Sequence, residues 1–503
     1  MQVNSDIIKK IGLILGIVSS ILILIFTDLD PQKPEITATL AVAVLMAIWW
    51  MTEAVPIAVT ALLPVVLFPI LGVMNGKTVS SEYFNSIIFL FIGGFLVALA
   101  MEKHNLHKRI ALKIMTLTGS GYGKILFGFM FATAFLSMWM SNTATAMMMV
   151  PVAMSLIYKF TEYLKPQDAK KVSIGLLLSI AYGASVGGIA TLIGTPPNLA
   201  LTKIFALNFP NAPEISFSQW FIFALPLSAI MIVAVWLVLY FMYKPSQGAD
   251  INDNTIFKEQ YKKLGKASYE EKVVFIAFIV LAFLWIFRNG FDFGVHIFGW
   301  ASLFSHPKYL NDGTVAIFVA LVLFLIPSKT KKNKRILDNE IFVKLPWHII
   351  ILFGGGFALA KGFKVSGLTE WMGQQLTILE GVNPLLIIFI VALFMSFLTE
   401  LTSNTASTQM ILPILASLSI SLRLNPLLLM ITASLAASLA FMLPVATPPN
   451  AVVFGTNKIS IKDMMRTGII LNMVGVLIVS LMMYFWGQHV FGIDLNVFPD
   501  WAK

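Results

Sequence analysis

The stretch Phe135-Leu-Ser-Met-Trp-Met-Ser-Asn-Thr-Ala-Thr-Ala-Met-Met-Met-Val-Pro151 decides the fold. It is apolar on both flanks and polar at its centre, Ser141-Asn142-Thr143. A membrane-spanning helix needs roughly 20 mostly apolar residues in succession, and here the run is broken midway. Irregular backbone at membrane depth survives only where protein or water covers it. Residues 122–160 are therefore expected to form a re-entrant hairpin, entering and leaving on one side, with two arms of fewer than 20 residues each.

The same pattern returns. Ser141-Asn142-Thr143-Ala144 recurs as Ser403-Asn404-Thr405-Ala406, an offset of 262 that also aligns Met148 with Met410 and Pro151 with Pro413. Upstream, Phe91-Ile92-Gly93-Gly94-Phe95 aligns with Phe353-Gly354-Gly355-Gly356-Phe357 at that offset. Downstream, Thr195-Pro196-Pro197-Asn198 recurs as Thr447-Pro448-Pro449-Asn450 at an offset of 252. Three blocks in one order and nearly one register mark a duplication. A second re-entrant hairpin is expected over 384–422. Five spans separate the corresponding elements, an odd number, so the two halves point in opposite directions. Such inverted repeats are typical of secondary transporters.

Composition agrees. Of 503 residues, 58% are hydrophobic and only 12% charged, and the mean hydropathy is +0.84. A soluble chain carries about 25% charged residues, so a soluble enzyme and a disordered chain are excluded. Long continuous apolar runs argue against an alternating β-barrel. There is no cysteine, hence no disulfide, thiolate metal site or cysteine nucleophile. The net charge of +10 does not indicate nucleic-acid binding, because the basic residues sit in loops between apolar runs. The first apolar run, 11–26, lacks a small-residue cleavage site and is read as a retained helix.

The fold expected is all-α and polytopic, with about 11 transmembrane helices plus the two hairpins. Its parts are an N-terminal helix (1–35), a first repeat (36–243, helix broken at 194–198), a cytoplasmic loop (244–271), a second repeat (272–490, helix broken at 446–450) and an extracytoplasmic tail (491–503). With the N-terminus inside, the cytoplasmic segments hold 26 of the 35 Lys and Arg, which sets this orientation. The polar loops 244–272 and 328–346 read as soluble connectors.

The clusters suggest ion and anion handling. Ser141 can cap the second arm of its hairpin. The N–H groups freed there lie at the positive end of a helix dipole, a natural carboxylate site, while Ser and Asn oxygens can ligate a hard cation. Each Pro-Pro breaks a helix and strips partners from the preceding carbonyls, which Na⁺ can take up. Gly194 and Ala446 stand just before the two Thr-Pro-Pro-Asn runs, where small side chains leave the backbone approachable. No Lys or Arg lies at the core of any cluster. A dianion would then need helix dipoles and co-bound cations to offset its desolvation, which gives a reason for obligatory coupling.

Other features read as structural. Gly183-Ala-Ser185-Val-Gly187 matches a nucleophile pattern, but no strand precedes it, and helix packing explains it. His104 and His107 share a basic amphipathic face. Glu53 and Glu400 are acids at or near membrane depth, and each is read as a structural hydrogen-bonding group with proton or cation handling as the alternative.

The doubled Ser-Asn-Thr tips, the doubled Thr-Pro-Pro-Asn breaks and the inverted repeat resemble the divalent anion:sodium symporter family, the sodium–dicarboxylate cotransporters, over about residues 36–490. The resemblance implies a homodimer in which each protomer has a fixed scaffold and a transport domain that moves as an elevator. It implies one Na⁺ site at Ser137, Ser141, Asn142 and the Gly194 carbonyl, and a second at Thr399, the Thr402 backbone oxygen, Asn404 and the Ala446 carbonyl. Substrate carboxylates would meet Ser141, Asn142, Thr143, Ser403, Asn404, Thr405, Thr447 and Pro448. The function expected is Na⁺-coupled symport of C4 dicarboxylates such as succinate, fumarate or malate, without an organic cofactor or enzymatic activity. The alternatives are a Na⁺-independent exchanger or a tricarboxylate or sulfate carrier of the same fold, and an anion channel. Compact termini and short loops point to a prokaryotic cytoplasmic membrane, with the C-terminus outside.

Overall fold

The computed structural model describes residues 2–246, 255–292, 296–330, 333–375, 382–495 and 497–503. It is almost wholly helical, apart from a two-stranded ribbon that pairs Gly290–Asp292 with His296–Phe298. Nine helices among the described residues are long and apolar enough to cross a membrane. The first, Gln2–Phe26, lies against Pro34–Thr52 and presents most of its surface outward. Gly12 and Gly16 allow that contact, since a Cβ at either would strike Thr52 or Trp49.

Each half repeats one plan. A helix carrying the glycine block (Ser86–Lys103, Trp347–Ser366) precedes a helix pair (Tyr122–Ser137 with Asn142–Tyr163; Pro384–Leu401 with Asn404–Ser421). A broken helix follows (Pro166–Gly188 then Pro196–Asn208; Pro426–Ala437 then Pro448–Phe454). The arms do not all fit the expected length. Asn142–Tyr163 runs for 22 residues, because Pro151 is accommodated inside it without ending it. Length therefore does not support the hairpin reading for that arm, and its polar tip Ser141-Asn142-Thr143 is half-buried.

The halves interlock. The arm Asn142–Tyr163 packs on Pro448–Phe454, and Asn404–Ser421 packs on Pro196–Asn208. Two apolar cores result. The smaller joins Pro34–Thr52, the short helices Ile57–Thr60 and Leu63–Ile70, and Trp347–Ser366 around Trp50, Phe68 and Phe363. The larger holds both helix pairs and both broken helices.

The loop 244–271 is more than a soluble connector. Its helix Thr255–Lys263 buries Phe257 against Phe129, with ring centroids 5.7 Å apart. Fully burying one such ring contributes about 1.5–3 kcal/mol. Arg109 pairs with Glu271 at 3.0 Å and so ties this region to the basic helix Leu106–Thr118. Lys103 pairs with Asp338 in the second polar loop at 2.9 Å, and that hydrogen bond holds the Asp338 carboxyl below its usual range.

Candidate functional site

Ser141 is the N-cap of Asn142–Tyr163, and its hydroxyl accepts a hydrogen bond from the Ala144 N–H at 3.1 Å. Ser403 holds the same N-cap backbone geometry, yet its side chain makes no capping bond. The twin tips thus share a backbone and differ in how their first hydroxyl is used.

The decisive geometry lies one turn back. Ser137 Oγ is 2.5 Å from Asn142 Oδ1 and 2.8 Å from the Ala184 carbonyl oxygen. In the second half, Thr399 Oγ1 is 2.5 Å from Asn404 Oδ1 and 2.9 Å from the Ala437 carbonyl oxygen. A hydroxyl has one proton and here faces two acceptors in each half. Around Asn142 the crowding extends further. The amide atom that faces Ser137 also lies 3.2 Å from the Gly194 carbonyl and 3.3 Å from that of Ala184. Turned with nitrogen inward, the amide donates to all three; turned with oxygen inward, it completes a set of four hard oxygens. That donor set suits Na⁺.

The structure therefore brings together Ser137, Asn142 and Gly194 of the first expected cation set, and Thr399 and Asn404 of the second. Ala446, whose carbonyl was expected in the second set, has its N–H bonded to the Leu443 carbonyl at 3.2 Å, which leaves its own carbonyl oxygen uncommitted by that contact. The Thr402 hydroxyl bonds the Leu398 carbonyl and Ser407, which leaves only backbone for another role. Thr405 and Thr447 are buried, Thr143 is half-buried and Pro448 is exposed. Thr447 caps its short helix by accepting from the Asn450 N–H at 3.3 Å.

The helix breaks handle their free carbonyls in a way the sequence reading missed. Asn198 Nδ2 donates to the Thr191 carbonyl at 2.8 Å and to that of Ile189 at 3.4 Å. Asn450 Nδ2 donates to the Leu443 carbonyl at 3.0 Å and to that of Ala440 at 3.2 Å. The last residue of each Thr-Pro-Pro-Asn run thus serves two carbonyls of the linker that precedes it. The two breaks also meet each other, Thr195 Oγ1 lying 3.3 Å from Ser438 Oγ.

Four further residues escaped the sequence reading. The carbonyls of Ala184 and Ala437 carry no side-chain signal. Thr191 Oγ1 donates to the Met138 carbonyl at 2.5 Å and accepts from the Gly194 N–H at 3.1 Å, which ties the first tip to its broken helix. In the second half Glu400 makes that joint, accepting from the N–H groups of Phe441 (2.7 Å), Met442 (2.9 Å) and Leu443 (3.0 Å). Asn472 Nδ2 completes the shell at 2.8 Å. A polar Asn472 inside an apolar helix was the available clue. Glu53 is an exposed helix end in left-handed conformation, φ 47°.

A cavity of about 320 Å³ lies elsewhere, beside Lys203, Glu214 and Asp312. We place the chemistry at the tips because there the buried polar groups converge. Groups of three or more His, Cys, Asp or Glu able to hold a metal are absent among the described residues.

Comparison with known proteins follows the same lines. The family described as "Sodium:sulfate symporter transmembrane region" matches residues 7–493. The sodium-dependent dicarboxylate transporter SdcS of Staphylococcus saprophyticus is 45% identical over 497 residues, 97% of this chain and 93% of the relative. Its Staphylococcus aureus counterpart is 45% identical over 495 residues with the same coverage. Among solved structures, the Alcanivorax borkumensis YdaH transporter aligns with a TM-score of 0.56 at 12% identity, over 82% of this chain and 88% of that one. Neisseria gonorrhoeae MtrF aligns at 0.54 and 13%, over 82% and 83%. At such identities these two speak for the fold alone.

Proposed function

The chain belongs to the sodium:sulfate symporter family, and from that premise we propose that it imports C4 dicarboxylates such as succinate, fumarate or malate, driven by Na⁺. It is a membrane transporter and not an enzyme. The observation that carries the reading is the pair of oxygen corners, Ser137–Asn142–Ala184–Gly194 and Thr399–Asn404–Ala437, each one turn from a helix N-terminus. A hard cation in each corner supplies positive charge beside the N–H groups of Asn142–Tyr163 and Asn404–Ser421, where a carboxylate gains from the dipole. Neither charge settles well alone in a buried place, so each site favours occupation of the other. That mutual dependence is what couples the ion gradient to uptake.

Movement as an elevator is supported by the two separate apolar cores and by the polar contacts that bridge helices on either side of their boundary. Lys203 of a broken helix pairs with Glu82 at 3.1 Å, and Lys364 donates to the Asn208 carbonyl. Within the larger core, Arg288 pairs with Glu214 at 3.2 Å. In the orientation set by the basic loops, with the N-terminus cytoplasmic, all three lie on the extracytoplasmic side. A homodimer in the bacterial cytoplasmic membrane completes the reading.

Labelled succinate uptake into proteoliposomes tests it. Uptake into empty vesicles that requires an inward Na⁺ gradient is the expected result. Uptake indifferent to Na⁺ and dependent on internal dicarboxylate would establish an exchanger and remove the cation corners. Fluxes above transporter rates without counter-flow would establish a channel.

A further inference from the structure

The two corners are not built to the same size. A Cβ placed on Gly188 would lie 2.7 Å from Asn142 Oδ1 and 3.0 Å from the Gly194 carbonyl oxygen. Those are two of the four oxygens of the first corner. A methyl there would press into the space those oxygens enclose. The reverse contact is as close, since a Cβ on Gly194 would meet the Gly188 carbonyl oxygen at 2.4 Å. The wall of this corner is therefore bare backbone.

The second half does not repeat that glycine. Ala437 is the partner of Ala184 at an offset of 253, and Leu443 that of Thr191 at 252. The position equivalent to Gly188 thus falls on Ala440 or Phe441, both of which carry a side chain. The hydroxyl residue changes in the same sense, from Ser137 to the bulkier Thr399. At both of these aligned positions the second half carries at least one methyl more than the first.

We propose that Gly188 is a positioning residue that sets the size of the first cation corner, making it the roomier of the two and the one that discriminates Na⁺ from smaller alkali ions. The proposal rests on the reading of that corner as a Na⁺ site. Gly188 touches the ion through no atom of its own; it acts by leaving room for the Asn142 amide and the Gly194 carbonyl to hold their places. Adding a methyl to a filled site raises its energy, and a smaller ion accommodates the change better than a larger one.

The test is thermal stabilisation of the purified transporter by NaCl, LiCl and KCl at constant ionic strength. For Gly188→Ala the Na⁺ concentration giving half-maximal stabilisation should rise about tenfold or more, and the ratio of Li⁺ to Na⁺ potency should shift towards Li⁺. Ser137→Thr keeps the hydroxyl, narrows the corner from the opposite wall and should move the ratio in the same direction, which keeps the proposal testable if Gly188→Ala does not fold. Gly76→Ala, whose methyl would meet nothing closer than Pro69 at 4.0 Å, should leave the ratio unchanged. Na⁺-specific stabilisation that Gly188→Ala and Ser137→Thr leave unaltered in half-saturation and ion ratio overturns the size gate alone. Absence of any Na⁺-specific stabilisation in the unsubstituted chain overturns both the gate and the functional reading beneath it.

Discussion

The first tip is tied to its broken helix by a neutral hydroxyl, the second by a carboxylate. Thr191 Oγ1 bonds Met138 and Gly194 in the first half. Glu400, which aligns with Met138 at the 262 offset, gathers three linker N–H groups and Asn472 in the second. The hydroxyl–amide contact at the heart of each corner is a near copy, 2.5 Å in both. Duplication has kept the ligand geometry and let the supporting joint diverge. Each half can thus present one chemistry while holding its tip with different firmness.

The largest expected effect tests where the halves agree. Asn142→Ala and Asn404→Ala each remove the amide from one corner, and each should lower Na⁺-driven succinate uptake by about 100-fold or more. A loss confined to one of the two would show that the corners do not act together.

Next comes the joint where they differ. Glu400→Ala leaves three backbone donors and Asn472 without their acceptor, and hydrogen bonds to a charged group contribute about 1.5–3 kcal/mol each. Thermal unfolding in detergent should therefore show a loss of about 3 kcal/mol or more for Glu400→Ala. Thr191→Val should cost about 1 kcal/mol. Equal losses would erase the contrast.

How much of this the sequence showed follows the same division. The duplicated motifs revealed the repeat, the tips and the breaks, because polar residues inside apolar runs are visible without coordinates. Asn142, Gly194 and Asn404 were legible through their place in or beside those motifs, whereas Ser137 and Thr399 entered only through the family resemblance. Part of what stayed hidden acts through backbone: the carbonyls of Ala184 and Ala437, and the missing side chain of Gly188. Such roles leave no mark on residue type until the chain is folded. The 22-residue length of Asn142–Tyr163 was not legible, because the end of an apolar helix at Tyr163 carries no strong stop signal in residue type. The role of Asn198 and Asn450 was missed because a bound ion seemed the natural partner for carbonyls that these amides already serve.

Asn198→Ala and Asn450→Ala offer a finer test. Each strips a donor from two linker carbonyls, so the two variants should lose similar stability, about 1–2 kcal/mol by thermal unfolding. A clear inequality would mean that the breaks have diverged as the joints did. The smallest effects belong to Thr143→Ala and Thr405→Ala, beside the tips and outside the cation corners. Each should raise the succinate concentration for half-maximal uptake about threefold to tenfold, with Na⁺ half-saturation little changed. A shift in Na⁺ dependence alone would move these residues into the cation sites.

The central claim is that two oxygen corners hold the ions that make dicarboxylate binding possible. Its most direct test is equilibrium binding of labelled succinate to the purified protein as Na⁺ is titrated, for the unsubstituted chain, Asn142→Ala and Asn404→Ala. The account predicts a sigmoidal Na⁺ dependence in the unsubstituted chain and, in each variant, a shallower curve displaced to higher Na⁺. Succinate binding that saturates without Na⁺, or a Na⁺ dependence that either substitution leaves intact, would contradict it.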